Sequence, residues 1–219
     1  MLDTITVVKR NGRIEPLDVS KIQKHTSAAV EGLEGVTQSE LEVDAKILFK
    51  DKITTEEIQQ TLIKTAVDKI DVDAPNWSFV AARLFLYDLY HKVTGWTGYK
   101  KLEDYFIQGE NEGRLLRGIK EKYDLAFLDS HIKPERDLQF NYLGIKTLYD
   151  RYLLKDSSNQ PIELPQHMFM AIAMFLAQNE NDCNAWAVKF YDMISQFEVI
   201  CATPTLANAR TTRHQLSSC

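Results

Sequence analysis

The sequence predicts a mainly α-helical protein with a small β element at its start. Apolar residues recur at helical spacing through most of the 219 residues, whereas short extended runs flank an Asn-Gly pair near the N-terminus. Hydrophobic residues make up 44% and charged residues 26%, a composition typical of a chain that buries a core. At this length two domains are expected.

The first predicted elements are a hairpin and a helix. The run TVVKR at residues 6–10 is followed by Asn11 and Gly12, and this pair between extended runs favours a tight turn. Asp18 then has the side chain of a helix cap, which predicts a helix over residues 19–33. Its buried face is expected to contain Ile22, Ala29 and Leu33.

Three further helices complete a predicted bundle. Thr37 with Glu40, and Thr54 with Glu57, have the spacing of capping boxes, so a helix is expected to begin at each threonine. A fourth helix follows Pro75, a residue suited to a first helical turn. Its sequence WSFVAARLFLYDLYHKV is apolar on nearly every side, which predicts the buried centre of the bundle. The apolar side of the third helix is expected to contain Ile58, Leu62, Ala66 and Ile70.

A second domain is expected over residues 98–219, after a first domain over residues 1–97. Pro165 opens a predicted helix through MFMAIAMFLAQNE, with a partner helix from Asn184 to Phe197. The run EVICATPT is a candidate buried strand that leads into a polar loop. Such a strand would have an unpaired edge, so the chain is expected to end within a domain.

Composition excludes several functional classes. The net charge of −5 gives no basic field for nucleic acid, and no apolar run approaches the roughly 20 residues that cross a bilayer. Neither a nucleic-acid partner nor a membrane is therefore expected. A cytoplasmic location is expected instead. Three cysteines are too few and too widely spaced for a zinc site, so no metal is expected. An odd count leaves at least one thiol available for chemistry.

Basic residues gather around the predicted hairpin. Lys9, Arg10 and Arg13 flank its tip, and Lys21 lies in the first turn of the next helix. Cations beside a helix N-terminus suit a triphosphate, because backbone N–H groups there add positive potential. The plainer interpretation is a hairpin whose charges are simply solvated.

The segments TVVKRNGRIEPLDVSKI, ITTEEIQQTLIKTAVDKI and DAPNWSFVAARLFLYDLY resemble the ATP-cone, a regulatory domain at the front of many ribonucleotide reductase large subunits. The resemblance covers residues 5 to about 95 and implies a β-hairpin cap on a four-helix bundle. It implies ATP or dATP as an allosteric effector, bound with Mg²⁺. The contacts that it implies are Lys9, Arg10, Glu15, Lys21, Thr55 and His91.

The sequence departs from the ATP-cone pattern at Gln59 and Asp88, two positions that are often histidine, and the late basic position is His91 followed by Lys92. Inhibition by dATP is therefore left open. A carboxylate beside a triphosphate would repel it, so Asp88 is expected to be turned away or paired with a cation. The alternative is a charged residue on the outer face of its helix.

The segments RDLQFNYLGIKTLYDRYLLKD, ELPQHMFMAIAMFLA and ATPTLANARTTRHQLSSC are similar to the region that leads into the catalytic α/β barrel of class I large subunits. The resemblance implies a helical N-terminal portion followed by the first barrel strand. It implies radical reduction of a ribonucleotide, in which a thiyl radical abstracts the 3′ hydrogen, water leaves C2′ and a cysteine pair supplies two electrons.

Cys219 is the implied member of that pair, and Thr203, Ser218 and Cys219 are the implied substrate contacts. The alternative for Thr203 is a turn residue before Pro204. Neither Cys183 nor Cys201 matches the position of the partner cysteine, and both are expected to pack as small hydrophobic residues.

The implied partners are the remaining C-terminal part of the large subunit, a metal-containing small subunit that supplies the radical, a thioredoxin or glutaredoxin-type reductant, and further copies of the chain. No cofactor for the chemistry itself is expected in this chain. Two alternatives are a non-catalytic regulator built on an ATP-cone and a helical interaction protein. The segment from Arg136 to Cys219 favours the enzyme, because a regulator needs no entrance to a barrel.

Overall fold

A computed structural model describes residues 5–47, 49–96 and 98–217, and these residues form two compact units. Unit 1 extends to Asp88 and also includes Leu138–Lys146, whereas unit 2 comprises Leu89–Asp137 and the residues from Thr147 onwards. The mainly helical fold with a small β element is confirmed. The domain division after residue 97 stays a prediction, and residue 97 itself lies outside the described part.

Unit 1 begins with the predicted hairpin. Strands β1 (Thr6–Val8) and β2 (Ile14–Pro16) pair in antiparallel fashion, and the two-residue strand β3 (Ile53–Thr54) adds to β1 in parallel. The hairpin connection closes by the Lys9 N–H donating to the Arg13 carbonyl at 2.8 Å. Gly12 within it has φ +80°, a conformation that costs glycine little.

The helices of unit 1 begin at the residues that the sequence indicates. Helix α1 (Val19–Val30) is capped by Asp18 but ends three residues earlier than predicted. Helix α2 (Gln38–Ile47) follows Thr37, and helix α3 (Thr55–Asp68) follows Thr54 with both hydrogen bonds of the capping box. Ile70 falls after the end of α3 and is exposed, so its placement on the buried side of that helix was wrong.

Helix α4 (Trp77–Thr94) has no exposed residue, as expected from its apolar sequence, and we call it the central helix. Pro75 lies in the turn before it rather than in its first turn. Its first three turns belong to unit 1, where it joins the hydrophobic core, and its end belongs to unit 2. The core of unit 1 draws on the sheet and all four helices, including Val7, Ala29, Leu41, Ile53, Leu62, Trp77, Val80 and Leu84.

The segment Leu138–Lys146 also belongs to unit 1, although it is distant in sequence. Tyr142 packs against the core of this unit, and its ring meets that of Phe85 edge-on at 6.1 Å. Its backbone N–H donates to the Ser78 hydroxyl at 3.2 Å. Helix α7 (Tyr142–Arg151) starts in this segment and continues into unit 2.

Unit 2 is built around helix α8 (Pro165–Ala177), which is buried along almost its whole length. Helix α9 (Cys183–Ser195) packs against it, so the predicted helix pair is confirmed. The remaining helices of this unit are α5 (Leu102–Asn111), α6 (Leu125–His131) and α10 (Thr203–Asn208), with a 3-10 turn at Lys120–Lys122. Another 3-10 segment, Pro134–Gln139, runs from unit 2 into unit 1.

The candidate buried strand through EVICATPT was wrong. Residues 198–202 form no strand, and Ile200 is 87% exposed. A buried strand needs a neighbour for its backbone groups, and no described strand of unit 2 is available to pair with it. The end of this run instead opens helix α10. No helix among the described residues combines the length and the apolar character needed to cross a membrane.

Candidate functional site

The parallel pairing in unit 1 brings two of the predicted nucleotide contacts to one end of the sheet. Val8 is paired with Thr54, and the next residue along each parallel strand is Lys9 or Thr55. Thr55 is the first residue of α3 and is half-buried. The helix cap uses Thr54, whose hydroxyl accepts from the Glu57 N–H at 3.0 Å, so the Thr55 hydroxyl is not part of it.

Lys9 faces Glu15 across the hairpin. Its Nζ lies 3.7 Å from the Glu15 Oε2, and both side chains are partly exposed. Glu15 is itself one of the predicted nucleotide contacts, and it pairs with Val7 in the ladder. The structure therefore brings Lys9, Glu15 and Thr55 around one strand end.

The carboxylate of Asp18 lies at the N-terminus of α1, where it caps the helix. The Asp18 Oδ1 accepts from the Ser20 hydroxyl at 2.6 Å and from its N–H at 3.1 Å. The Ser20 hydroxyl, followed by its N–H and the charge of Lys21, holds the pKa of Asp18 below its usual value. The Lys21 Nζ lies 3.8 Å from the Asp18 Oδ2 and is well exposed. A triphosphate at this position would thus share Lys21 with Asp18.

Arg10 reaches across to the central helix. Its Nη2 lies 3.7 Å from the Asp88 Oδ1, and the other oxygen of Asp88 accepts from the Gln60 Nε2 at 3.3 Å. Asp88 is only 3% exposed. Of the alternatives for Asp88, pairing with a cation is therefore the one found, and placement on the outer face of the helix is wrong.

Gln59 is a structural residue in this unit. Its Nε2 donates to the Leu84 carbonyl at 2.7 Å, and its side chain is buried between α3 and α4. An amide there satisfies a backbone carbonyl inside the core, where an unpaired polar group would be costly. The side chain is thus engaged away from solvent.

Unit 1 also contains an aromatic pair that the sequence did not predict. The rings of His25 on α1 and Tyr87 on α4 have centroids 3.8 Å apart and are tilted by 50°. His25 follows Lys21 by four residues and so shares its helix face. The four-residue spacing between Lys21 and His25 could have drawn attention to His25. It gives no indication that Tyr87 on α4 packs against His25.

His91, the last of the predicted nucleotide contacts, lies in the final turns of α4. This part of the helix belongs to unit 2. Its backbone carbonyl accepts from the Gly95 N–H at 3.0 Å, which helps to end the helix.

The predicted catalytic end of the chain is only partly described. Ser218 and Cys219 lie outside the described residues. Thr203 is exposed and opens α10, with Pro204 in the first turn of that helix. Its hydroxyl lies 3.2 Å from the hydroxyl of Tyr152. Thr203 is therefore a helix-opening residue rather than a residue of a turn that ends before Pro204.

Arg210, two residues after the end of α10, forms a completely buried ion pair with Glu163. The Arg210 Nε and Nη2 donate to the two oxygens of Glu163 at 2.7 and 2.6 Å, so the pairing is bidentate. Arg210 also donates to the carbonyls of Leu206 and Tyr152, and Tyr105 donates to Glu163. The sequence showed an arginine in a polar loop but not its partner 47 residues earlier.

A second buried network surrounds Asp137 in unit 2. Tyr90 and Tyr99 each donate a hydroxyl to its Oδ2 at 2.6 Å, and Gln166 donates to its Oδ1 at 2.7 Å. Burial outweighs these hydrogen bonds and raises the pKa of Asp137 to about 6. Nearby, burial lowers the pKa of His167 to about 3, and its Nε2 lies 3.0 Å from the Lys100 carbonyl.

The two described cysteines are half-buried and free. The Cys183 thiol donates to the Lys122 carbonyl at 3.2 Å, and burial raises the pKa of Cys201. A raised pKa keeps a thiol protonated and less nucleophilic. Both observations fit packing roles better than redox roles.

Two family profiles match the chain. The profile of the ATP cone domain matches residues 5–92, and the profile described as "Ribonucleotide reductase, all-alpha domain" matches residues 138–214. The first match contains Lys9, Arg10, Lys21, Thr55 and His91, and the second contains Thr203 and the Glu163–Arg210 pair.

Several curated proteins are similar to the chain along its length. The ribonucleoside-diphosphate reductase subunit alpha of Helicobacter pylori is 75% identical over 215 residues, which are 98% of this chain and 27% of that protein. The subunits of the same name from Enterobacteria phage T4 and Buchnera aphidicola are 35% and 33% identical over the whole chain, covering 29% and 30% of those proteins. The chain thus spans less than a third of the length of these relatives.

Proposed function

Because the chain belongs to the family of ribonucleotide reductase large subunits, with an ATP cone domain before the all-alpha domain, we propose that it senses ATP or dATP and contributes to ribonucleoside-diphosphate reduction. The observation that carries this proposal is the 75% identity over 98% of the chain to a ribonucleoside-diphosphate reductase subunit alpha. A regulator without catalytic function has no need of the all-alpha domain at residues 138–214.

The effector site that we propose lies at the hairpin end of unit 1. Lys9, Arg10 and Lys21 offer cations for the phosphates, and their carboxylate partners stand at 3.7 to 3.8 Å, beyond the distance of a direct hydrogen bond. Phosphate oxygens are better acceptors for these groups because they allow shorter, charge-assisted bonds. Glu15 and Thr55 are further proposed contacts in this unit, with Mg²⁺ accompanying the triphosphate. His91 is proposed as a nucleotide contact from the resemblance alone, because it belongs to unit 2.

Isothermal titration calorimetry with ATP and dATP tests this site. Lys9→Ala and Lys21→Ala are expected to weaken binding by roughly tenfold each, since each removes a charge-assisted hydrogen bond. Lys24→Ala is the matched control, because Lys24 is an exposed lysine on the same helix as Lys21. If the folded wild-type chain binds neither nucleotide at millimolar concentration, the proposed effector site is ruled out.

The proposed chemistry also needs a thiyl radical and a second cysteine. We propose that the rest of the large subunit supplies both. A thiyl radical removes the 3′ hydrogen of the ribonucleotide, and the 2′ hydroxyl leaves as water. Cys219 and a second cysteine supply two electrons and two protons as they form a disulfide. Thr203 and Ser218 are the proposed hydroxyl contacts to the substrate.

The relatives are alpha subunits, which implies a second kind of subunit, and the chemistry above needs further groups. We propose the partners from these two considerations. They are the rest of the large subunit, a radical-generating small subunit with a metal centre, a thioredoxin or glutaredoxin-type reductant, and further copies of the chain. We also propose a cytoplasmic location.

The catalytic assignment is tested in the complete enzyme with its small subunit and a dithiol reductant. Cys219→Ser is expected to abolish multiple-turnover reduction and to leave ATP binding unchanged, because serine forms no disulfide. Cys183→Ser and Cys201→Ser are the matched controls and are expected to retain activity. Full turnover by the Cys219→Ser enzyme would remove this residue from the mechanism.

A further inference from the structure

The three candidate phosphate cations of unit 1 have carboxylate partners in different surroundings. Glu15 beside Lys9 and Asp18 beside Lys21 are 46% and 47% exposed, so water can solvate either carboxylate once its lysine turns to a ligand. Asp88 beside Arg10 is only 3% exposed. Water therefore solvates Asp88 less readily than it solvates the other two carboxylates.

The Arg10 side chain connects two elements of unit 1. Arg10 lies in the connection between β1 and β2, and Asp88 lies on the central helix α4. Gln60 on α3 donates a hydrogen bond to the other carboxylate oxygen of Asp88 at 3.3 Å. Asp88 therefore holds the tip of the hairpin towards the two helices through Arg10.

We propose that Asp88 competes with the phosphates of the bound nucleotide for Arg10, and that occupancy of the site releases the hairpin tip from α4. This inference rests on the proposed binding of ATP or dATP at the hairpin. A phosphate that takes Arg10 draws a cation away from a buried carboxylate, which is unfavourable. It also brings a second negative charge close to Asp88.

Two consequences separate this role from simple structural support. Removing the negative charge of Asp88 strengthens nucleotide binding, although it removes an ion pair from the folded protein. The gain depends on Arg10, because competition requires the group that is competed for. A general repulsion between Asp88 and the nucleotide would instead persist without Arg10.

A double-mutant cycle measured by calorimetry tests the competition. Asp88→Asn keeps the size and polarity of the side chain, and we expect it to lower the Kd for ATP by about fivefold, the effect of a partly exposed charge pair. In the Arg10→Ala background the same change is expected to leave the Kd within about twofold. The cycle is repeated with inorganic tripolyphosphate, which isolates the phosphate contribution.

Asp44→Asn is the matched control for net charge. Asp44 lies in the same unit and pairs with Lys69 at 2.6 Å, so its removal changes the charge equally without touching the Arg10 pair. Its effect on the Kd is expected to be small. An Asp88→Asn gain that is absent, that equals the Asp44→Asn gain, or that persists in Arg10→Ala overturns the proposal.

A second measurement covers the case in which Asp88→Asn does not fold. The side-chain Nε–H signal of Arg10 in wild-type protein, assigned by its loss in Arg10→Ala, is expected to shift in nitrogen-labelled NMR spectra when tripolyphosphate is added. An unchanged signal with bound tripolyphosphate overturns the competition but leaves the proposed effector site intact. Wild-type protein that binds no nucleotide overturns both.

Discussion

Charged residues are arranged in opposite ways in the two units. In unit 2 the Arg210 guanidinium and the Glu163 carboxylate are completely buried, and they meet in two short hydrogen bonds. In unit 1 Lys9 and Lys21 stand near exposed carboxylates at 3.7 to 3.8 Å. The first arrangement commits both charges to the fold, whereas the second leaves the cations available to a ligand. The buried ion pair of unit 2 is therefore expected to govern stability, and the exposed lysines of unit 1 to govern binding.

The largest expected effect is on the buried pair of unit 2. Arg210→Met leaves Glu163 buried without its cation and removes the donors to two backbone carbonyls, so we expect a loss of about 3 to 5 kcal/mol in the free energy of unfolding. Urea unfolding of the whole chain measures it. The control is Arg213→Met in the same polar loop, where the side chain is exposed. A loss below about 1 kcal/mol would show that the burial of this pair does not set the stability of unit 2.

The next effect concerns pH and the other buried groups of unit 2. The pKa of Asp137 rises from 3.8 to about 6 in the folded protein, so its contribution to stability is complete below pH 3.8 and is lost as the pH rises to about 6. The pKa of His167 falls from 6.5 to about 3, so its contribution is complete above pH 6.5 and is lost as the pH falls. The two contributions oppose each other between pH 4 and 6.

The difference in stability between each variant and wild type isolates the contribution of the group that was removed. Relative to wild type, His167→Gln is expected to lose about 3 kcal/mol of stability as the pH rises from 4 to 6, at about 1.4 kcal/mol per pKa unit. Asp137→Asn is expected to change in the opposite direction over the same range. Chemical unfolding at several pH values measures both, and parallel slopes for the two variants would contradict the assignment.

A smaller effect is expected from the helix caps of unit 1, which stabilise it through local contacts. Thr54→Ala removes the hydroxyl that accepts from the Glu57 N–H, and we expect a loss of about 1 kcal/mol. Thr54→Ser restores the hydroxyl and is expected to recover most of it. A Thr54→Ser variant as unstable as Thr54→Ala would show that the threonine methyl group, rather than the cap, matters in β3.

The smallest effect is predicted for the surface cations of unit 1. Lys21→Met is expected to leave the urea midpoint unchanged, because exposed ion pairs contribute little to stability. The same variant is expected to weaken ATP binding measured by calorimetry. A large shift of the midpoint would break the contrast between the two units, since Lys21 would then be committed to the fold as Arg210 is.

Local features of the fold were predictable from the sequence, and long-range pairings were not. Asp18, Thr37 and Thr54 each cap a helix at the predicted place, because a cap depends on residues within one helical turn. The Glu163–Arg210 pair joins residues 47 positions apart, and no periodicity indicates that two such residues meet. The apolar run before α10 suggested a buried strand. It has no described strand to pair with, and most of it is exposed.

The candidate effector site likewise has parts that the sequence indicated and parts that only the folded chain shows. The resemblance to the ATP-cone pointed to Lys9, Arg10 and Lys21, and the match of an ATP cone domain to residues 5–92 confirms the family, while the residue roles stay predictions. The ion pair between Arg10 and Asp88 joins the hairpin to α4, so only the folded chain shows it. The same holds for the His25 and Tyr87 rings.

The return of residues 138–146 to unit 1 has a consequence during protein synthesis. The ribosome completes the first four helices long before it reaches Tyr142, whose ring meets that of Phe85 edge-on and whose N–H donates to Ser78. Because chains emerge from the N-terminus at about 5 to 20 residues per second, the core of unit 1 stays open on that side for some seconds while the intervening part of unit 2 is made. Nascent chains arrested just before residue 138 should therefore be more sensitive to protease at Phe85 than chains arrested well beyond residue 146.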